Sequence, residues 1–161
     1  VIKEFARHGV RRICLMNGHF ENSWFIIEGI DLALRELHWS GIDDMKIVVL
    51  SYWDFVDPAT IERLCPDGVT GWARGHGGVL ETSLMVALHP HLVALERAVD
   101  HPPAEFPPYD VYPPRPDWTP PSGTLSSPRQ ASKEKGEILL EVCTAGIVQA
   151  LRTEFPAAAH T

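Results

Sequence analysis

The chain is organised around the stretch Cys14-Leu-Met-Asn-Gly-His-Phe-Glu-Asn-Ser-Trp24. Its first residues belong to a short apolar run, Arg12 to Met16, and Asn17-Gly18 is a strong turn dipeptide. After the turn, apolar residues recur at the three- and four-residue spacing of an amphipathic helix. These residues are Ile27, Ile30, Leu34 and Leu37. The stretch therefore predicts the end of a buried strand, a polar turn and the start of a helix.

A second strand is predicted from Lys46 to Tyr52, where the sequence Ile-Val-Val-Leu is typical of a strand buried on both faces. Strand, helix and strand in this order form a right-handed βαβ unit with parallel strands. We therefore predict an α/β fold, a three-layer α/β/α arrangement with a largely parallel sheet.

Further helices are predicted on periodicity and capping signals. They run from Val1 to Gly9, from Asp57-Pro58 to about Cys65, from Val79 to Leu88, and from the cap residue Ser132 onward. Residues 100–130 are rich in proline, which excludes an ordinary helix or an inner strand. Aromatic residues in this segment favour an ordered arm or loop over a free linker.

Composition limits the function classes. The chain has 161 residues and a formal net charge of -7, so nothing indicates nucleic acid or an anionic membrane as a partner. No apolar run is long enough to span a bilayer. The three cysteines, Cys14, Cys65 and Cys143, show no paired spacing, which favours small core residues in a reducing compartment such as the cytoplasm.

His19 and Glu21 follow the first predicted strand. Ligands of open α/β sheets bind just beyond the carboxyl ends of strands. An imidazole and a carboxylate one residue apart suit a divalent transition metal such as zinc or manganese. A second interpretation remains open, in which His19 is an ordinary turn histidine and Glu21 favours the helix dipole.

The motif resembles the creatininase family. The likeness begins at Asn17-Gly-His-Phe-Glu-Asn-Ser23 and is closer to the creatinine-hydrolysing members than to the wider family, whose turn more often reads Asn-Gly-His-Gly-Gly-Asn. It covers nearly the whole chain. It continues through Leu50-Ser-Tyr-Trp-Asp-Phe-Val56, Gly77-Gly-Val-Leu-Glu-Thr-Ser-Leu-Met85, Asp100-His-Pro-Pro103, Phe106-Pro-Pro-Tyr-Asp-Val111, Gly123-Thr-Leu-Ser-Ser127 and Ala131-Ser-Lys-Glu-Lys-Gly-Glu137.

The resemblance implies a metal-dependent hydrolase that converts creatinine to creatine with two divalent ions, zinc or manganese, in a homo-oligomer that is typically a hexamer. It makes His19 a ligand of one metal and Glu21 a ligand of the other. Glu21 or a neighbouring carboxylate would also handle the proton of the attacking water. We expect this chain to be the carboxy-terminal part of one such domain, truncated at the N-terminus. Since the other metal ligands come from a region before this point, we expect the fragment alone to be inactive.

The resemblance also assigns the substrate region. His76, in Gly75-His-Gly-Gly78, would bind substrate and protonate the leaving ring nitrogen. Trp72 and Trp53 would close over a small flat ring, and Phe20 stands where tyrosine is usual. Each has a simpler interpretation as well: a loop histidine, or aromatic residues that pack in a core.

Two positions depart from the family pattern, which reads Gly-Trp-Asp-x-Glu-His-Gly-Gly. Ala73 replaces an aspartate that would bind substrate, and Gly75 replaces a glutamate that would orient His76. Together with Arg74, these changes reverse the local charge. Two alternatives follow: a relative that hydrolyses another amide, or a non-catalytic remnant that oligomerises.

Overall fold

A computed structural model of the chain describes residues 1–72 and 75–157. The helices are α1 (Ile2–Arg7), α2 (Asn22–Trp39), α3 (Pro58–Leu64), α4 (Val79–Leu88) and α5 (Lys133–Glu154), and the strands are β1 (Arg12–Asn17) and β2 (Lys46–Ser51). Short 3-10 turns cover Tyr52–Phe55, Pro90–Leu92, Leu95–Arg97 and Pro116–Trp118. The chain divides into two compact units. The first holds residues 1–56 and the chain from Cys143 onward, and the second holds residues 57–142.

The sheet of the first unit is parallel, as predicted. Strands β1 and β2 pair from Arg12 opposite Lys46 to Asn17 opposite Ser51, with α2 as the connection between them. The prediction that the second strand is buried on both faces is wrong, because Val49 is 43% exposed. The sheet has two strands within the described residues.

Helix α2 packs by a face that differs from the predicted one. Ala33 and Leu37 are buried and Ile30 is half-buried, whereas Ile27 and Leu34 are 65% and 37% exposed. The predicted stripe and the observed stripe have the same spacing and share Ile30 and Leu37. Because neighbouring positions on both stripes are apolar, periodicity alone does not distinguish them.

The second unit is built on α3, α4 and the first half of α5. Asp57 caps α3 as predicted, since its Oδ1 accepts a hydrogen bond of 2.7 Å from the backbone N–H of Thr60. Ser132 likewise caps α5 by accepting from the backbone N–H of Lys135. Its own N–H donates to Ser83 Oγ of α4 over 3.2 Å, which ties the two helices together.

The proline-rich segment also lies in the second unit. It is irregular apart from the turn at Pro116–Trp118, and its backbone bonds internally: the N–H of Ala104 donates to the carbonyl of Leu125 over 2.8 Å. Ala104 and Ser126 are buried. The ring of Phe106 meets the ring of Trp118 edge-on at 6.5 Å.

Within the described part of the chain, every helix is too short or too polar to cross a bilayer. All three cysteines are free thiols.

Candidate active site

Asn17 shapes the turn that carries the predicted metal ligands. It is the last residue of β1 and is almost fully buried. Its Oδ1 accepts from the backbone N–H of His19 at 3.1 Å and from Asn22 Nδ2 at 3.3 Å, while its Nδ2 donates to Ser23 Oγ at 3.2 Å. One side chain therefore joins the strand end, the turn and the start of α2. The turn dipeptide Asn17-Gly18 predicts the turn but not these three hydrogen bonds.

His19 and Glu21 face each other on this turn. The distance from His19 Nε2 to Glu21 Oε2 is 2.8 Å, and the two side chains are 52% and 63% exposed. An imidazole nitrogen beside a carboxylate oxygen, both open to solvent, is a donor set that fits a divalent transition metal. In the described residues no cluster of three or more histidine, cysteine or acidic side chains is present. Within the described residues the pair alone therefore offers fewer ligands than a protein metal site ordinarily has.

Phe20 and Trp53 belong to the same edge of the sheet. Because Asn17 pairs with Ser51, the two strands end side by side, and Trp53 lies in the 3-10 turn that directly follows β2. Phe20 is exposed and its ring meets Trp24 edge-on at 5.4 Å. Four of the predicted site residues, His19, Phe20, Glu21 and Trp53, therefore follow the carboxyl ends of parallel strands, where α/β folds bind ligands.

The remaining site residues lie in the second unit, on the loop before α4. His76 is exposed, and its carbonyl accepts from the backbone N–H of Leu125 at 2.9 Å. Glu81, on the first turn of α4, accepts from the backbone N–H of Gly77 at 2.7 Å. This hydrogen bond ties the first turn of α4 to the loop that carries His76.

Trp72 is half-buried and lines, with Gly75, a cavity of about 10 Å³. A cavity of this size accommodates at most one water, so an organic ring would bind elsewhere along the loop. A Cβ atom added at Gly75 would meet only the carbonyl oxygen of Trp72, at 3.8 Å. Position 75 therefore has room for a side chain. Ala73 and Arg74, which change the local charge relative to the family pattern, lie outside the described residues.

A family model described as creatininase, creatinine amidohydrolase, matches residues 1–151. This chain belongs to the creatininase family. Creatinine amidohydrolase of Pseudomonas putida is 66% identical over 157 residues, which are 97% of this chain and 60% of that protein. The chain thus spans about 60% of the length of its curated relative.

Solved creatininase structures match the fold closely. One named creatininase Mn superposes with a TM-score of 0.92 at 66% identity, over 97% of this chain and 61% of that one. A mutant complexed with creatine and a mutant of Zn-Zn type both give 0.91 at 66% identity, over 97% of this chain and 62% and 61% of theirs. These matches confirm the predicted α/β fold and the resemblance on which the site assignments rest.

Two of the free thiols, those of Cys14 and Cys143, are poor nucleophiles. Burial raises the pKa of the Cys14 and Cys143 thiols. A raised pKa keeps a thiol protonated and unreactive near neutral pH. Cys143 is buried and fits the small core position predicted from the sequence, whereas Cys14 is half-buried.

Proposed function

We propose that this chain supplies one part of the active site of an enzyme that hydrolyses creatinine to creatine. The observation that carries the proposal is the pair His19 and Glu21, 2.8 Å apart on a turn at the carboxyl edge of a parallel sheet. Two supports stand behind it: the name of the relative with 66% identity, and the creatine held by a similar solved structure.

His19 would hold one divalent ion and Glu21 a second, either zinc or manganese. Both metals occur in the names of similar solved structures. Bound ions of this kind supply Lewis acidity to an amide carbonyl and to a water nucleophile. The turn that Asn17 holds keeps the imidazole and the carboxylate on the same side of the backbone, ready to act as ligands.

Hydrolysis opens one ring C–N bond. The water oxygen bonds to the carbonyl carbon, the ring nitrogen leaves, and the nitrogen takes a proton. Glu21 accepts the proton that the water loses, and His76 donates the proton that the nitrogen needs. A histidine suits the second role because its ordinary pKa lies near neutral pH.

Aromatic side chains are assigned to the substrate. Trp72 and Trp53 provide flat faces that attract a delocalised cationic ring. Phe20, between the two metal ligands, offers its backbone N–H but has no side-chain hydroxyl to contact the substrate. The assignment of substrate contacts to Phe20, Trp53, Trp72 and His76 stays a prediction.

The 161-residue chain alone is expected to bind metal weakly and to be inactive on creatinine. His19 and Glu21 are two side chains, whereas one catalytic zinc ion ordinarily has three protein ligands. The assembly that we propose is a homo-oligomer, with a hexamer as the expected state. We place it in the reducing cytoplasm, where free thiols persist.

A second candidate is hydrolysis of a different amide. Gly75 favours it, because the space at this position is empty where the family pattern has a glutamate beside the histidine. Without that carboxylate, nothing at position 75 stabilises the charged form of His76. A substrate that is less basic than creatinine would need less negative charge around the loop.

Creatinine hydrolysis is the direct test. We would compare this chain with a chimera that joins it, in natural order, to the part of the Pseudomonas putida relative that it does not match. Both proteins would be assayed with Mn²⁺ and with Zn²⁺. We expect turnover from the chimera and no detectable turnover from the chain alone, since the general acid–base residues need a complete metal site.

Two variants of the chimera separate the candidates. Ala73→Asp together with Gly75→Glu restores the family's carboxylates, and His19→Ala removes a proposed ligand. If the chimera binds metal but becomes active on creatinine only with both carboxylates restored, the second candidate is favoured. Full activity of His19→Ala would refute the role proposed for the pair.

A further inference from the structure

The loop that carries Trp72 and His76 packs at both ends against the proline-rich segment. At Gly77 the backbone φ is +67°, and an added Cβ would lie 2.7 Å from Thr124 Cγ2. At Gly71 an added Cβ would lie 2.8 Å from side-chain atoms of Pro103 and of Ser126. Any side chain at either glycine would push the loop away. The backbone at Gly71 and Gly77 therefore lies so close to that segment that no side chain fits between them.

His101 organises the same segment through hydrogen bonds. Its Nδ1 lies 2.7 Å from the carbonyl oxygen of Pro102, which accepts only, so Nδ1 carries a proton. Its Nε2 lies 2.8 Å from Thr124 Oγ1 and 3.1 Å from Ser122 Oγ. In the neutral ring, Nε2 accepts from a hydroxyl. The imidazole thus joins two points of the segment that are distant in sequence.

Thr124 connects this network to the loop. Its hydroxyl bonds to His101, and its methyl group packs on the backbone of Gly77. The next residue, Leu125, donates its backbone N–H to the carbonyl of His76 at 2.9 Å. Fixing the hydroxyl fixes the χ1 angle of a β-branched side chain, and with it the position of the methyl group.

We propose that His101 is a positioning residue for His76. By holding Thr124 in one rotamer, it keeps Gly77 and the His76 backbone in place, so that the His76 ring is presented in one orientation. The catalytic part of this inference rests on the proposed function of His76. The positioning part rests on the contacts alone, and the two parts have separate measurements.

Four single variants divide the contributions. His101→Ala removes the imidazole, whereas His101→Gln keeps an amide that can bond to the Thr124 hydroxyl. Thr124→Val keeps methyl groups against Gly77 and removes the hydroxyl. The control is His91→Ala, because His91 is an exposed histidine of the same unit whose ring contacts His89.

The first measurement is amide hydrogen exchange at Leu125 in the 161-residue chain. It reports how readily the hydrogen bond from the Leu125 N–H to the His76 carbonyl opens, and it does not require the protein to hydrolyse creatinine. We expect protection at Leu125 to fall at least tenfold in His101→Ala and in Thr124→Val. His101→Gln should recover most of the protection, and His91→Ala should match the parent.

The second measurement is steady-state kinetics in the chimera described above. A displaced general acid lowers kcat while leaving substrate binding largely unchanged. We expect kcat to fall roughly tenfold to a hundredfold in His101→Ala, with KM changed by less than about threefold. A partial return of kcat in His101→Gln separates positioning from a loss of folding.

Unchanged Leu125 exchange in both His101→Ala and Thr124→Val would overturn the proposal. The proposal would also be overturned if His101→Ala lost protection at Leu125 and His101→Gln did not restore it, provided that the melting curve of His101→Gln matches that of the parent. If the parent chimera does not hydrolyse creatinine, the proposed function fails, and the exchange data still decide the positioning role. If His101→Ala does not fold, Thr124→Val and His101→Gln decide it.

Discussion

Asn17 shapes the turn that carries His19 and Glu21, the proposed metal ligands. Its buried amide makes three hydrogen bonds, to His19, Asn22 and Ser23. Outer groups that orient metal ligands typically contribute about 10- to 100-fold in metal affinity. We therefore expect Asn17→Ala to weaken Mn²⁺ binding by at least about tenfold, as measured by isothermal titration calorimetry on the chimera.

The matched control is Asn22→Ala, which removes one bond of 3.3 Å and leaves the bond to His19 intact. We expect its Mn²⁺ affinity to stay within about threefold of the parent value, since the turn itself is preserved. Equal losses in both variants would mean that Asn17 acts through the start of α2 and does not orient His19 directly.

Asp57 makes the stability of α3 depend on pH. Hydrogen bonds from Thr60, first from its side chain and then from its backbone N–H, hold the pKa of Asp57 below its ordinary value. A group whose pKa is lowered on folding stabilises the protein above its unfolded pKa and loses that effect as pH falls through its folded pKa. We expect Asp57→Ala to lower the Tm at pH 7, and this difference to shrink progressively as the pH falls below about 4, the ordinary pKa of an aspartate.

The control for this prediction is Asp57→Asn, because asparagine is also a good cap and carries no charge. Its difference in Tm from Asp57→Ala should stay constant across the pH range. Calorimetric scans from pH 7 to pH 3 make the comparison. A Tm difference between the parent and Asp57→Ala that persists unchanged at pH 3 would contradict the role of the ionised carboxylate.

At the scale of whole elements, two helix glycines have opposite roles. Gly29, on α2, has open space around the position of a Cβ atom, whereas a Cβ at Gly136 of α5 would collide with the carbonyl oxygen of Ser83 on α4. We expect Gly29→Ala to raise the free energy of unfolding by about 0.5–1 kcal/mol through helix propensity. Gly136→Ala should lower it by about 2 kcal/mol or more.

Urea unfolding followed by circular dichroism measures both changes. The two variants make the same chemical substitution in helices, so propensity alone predicts that both stabilise. Opposite signs would show that the packing of α5 on α4 requires the glycine. A stabilising Gly136→Ala would mean that the two helices separate at little energetic cost.

At the scale of the molecule, the exposed apolar residues of α2 favour the proposed self-association. Phe25 is 78% exposed, and Trp39 and Ile27 are also exposed. Large exposed apolar surfaces mark interaction sites in most proteins. We expect Phe25→Ser to lower the average mass of the chimera in light scattering after size exclusion, because the apolar contact is lost.

Glu28→Ser is the control, since it alters an exposed polar residue on the same helix. Its mass distribution should match the parent. A chimera that is already monomeric before any substitution would refute the homo-oligomer. Identical masses for the parent oligomer and for Phe25→Ser would place the interface away from this part of α2.

How much could be predicted from the sequence depended on the range of the interactions. The turn at Asn17-Gly18 and the caps Asp57 and Ser132 were predicted, because each is set by residues a few positions apart. The burial of β2 and the buried face of α2 were not, because each depends on which distant residues pack against it. The roles of His19, Glu21 and His76 stay predictions.

The sequence by itself determined the family, the βαβ order and the motif with its imidazole and carboxylate, since local spacing and turn chemistry carry that information. Only the tertiary structure decided that Thr124 lies on Gly77 with His101 bonded to it. The physical reason is that close packing joins residues far apart in the chain, and no spacing rule along the sequence predicts which surfaces will meet.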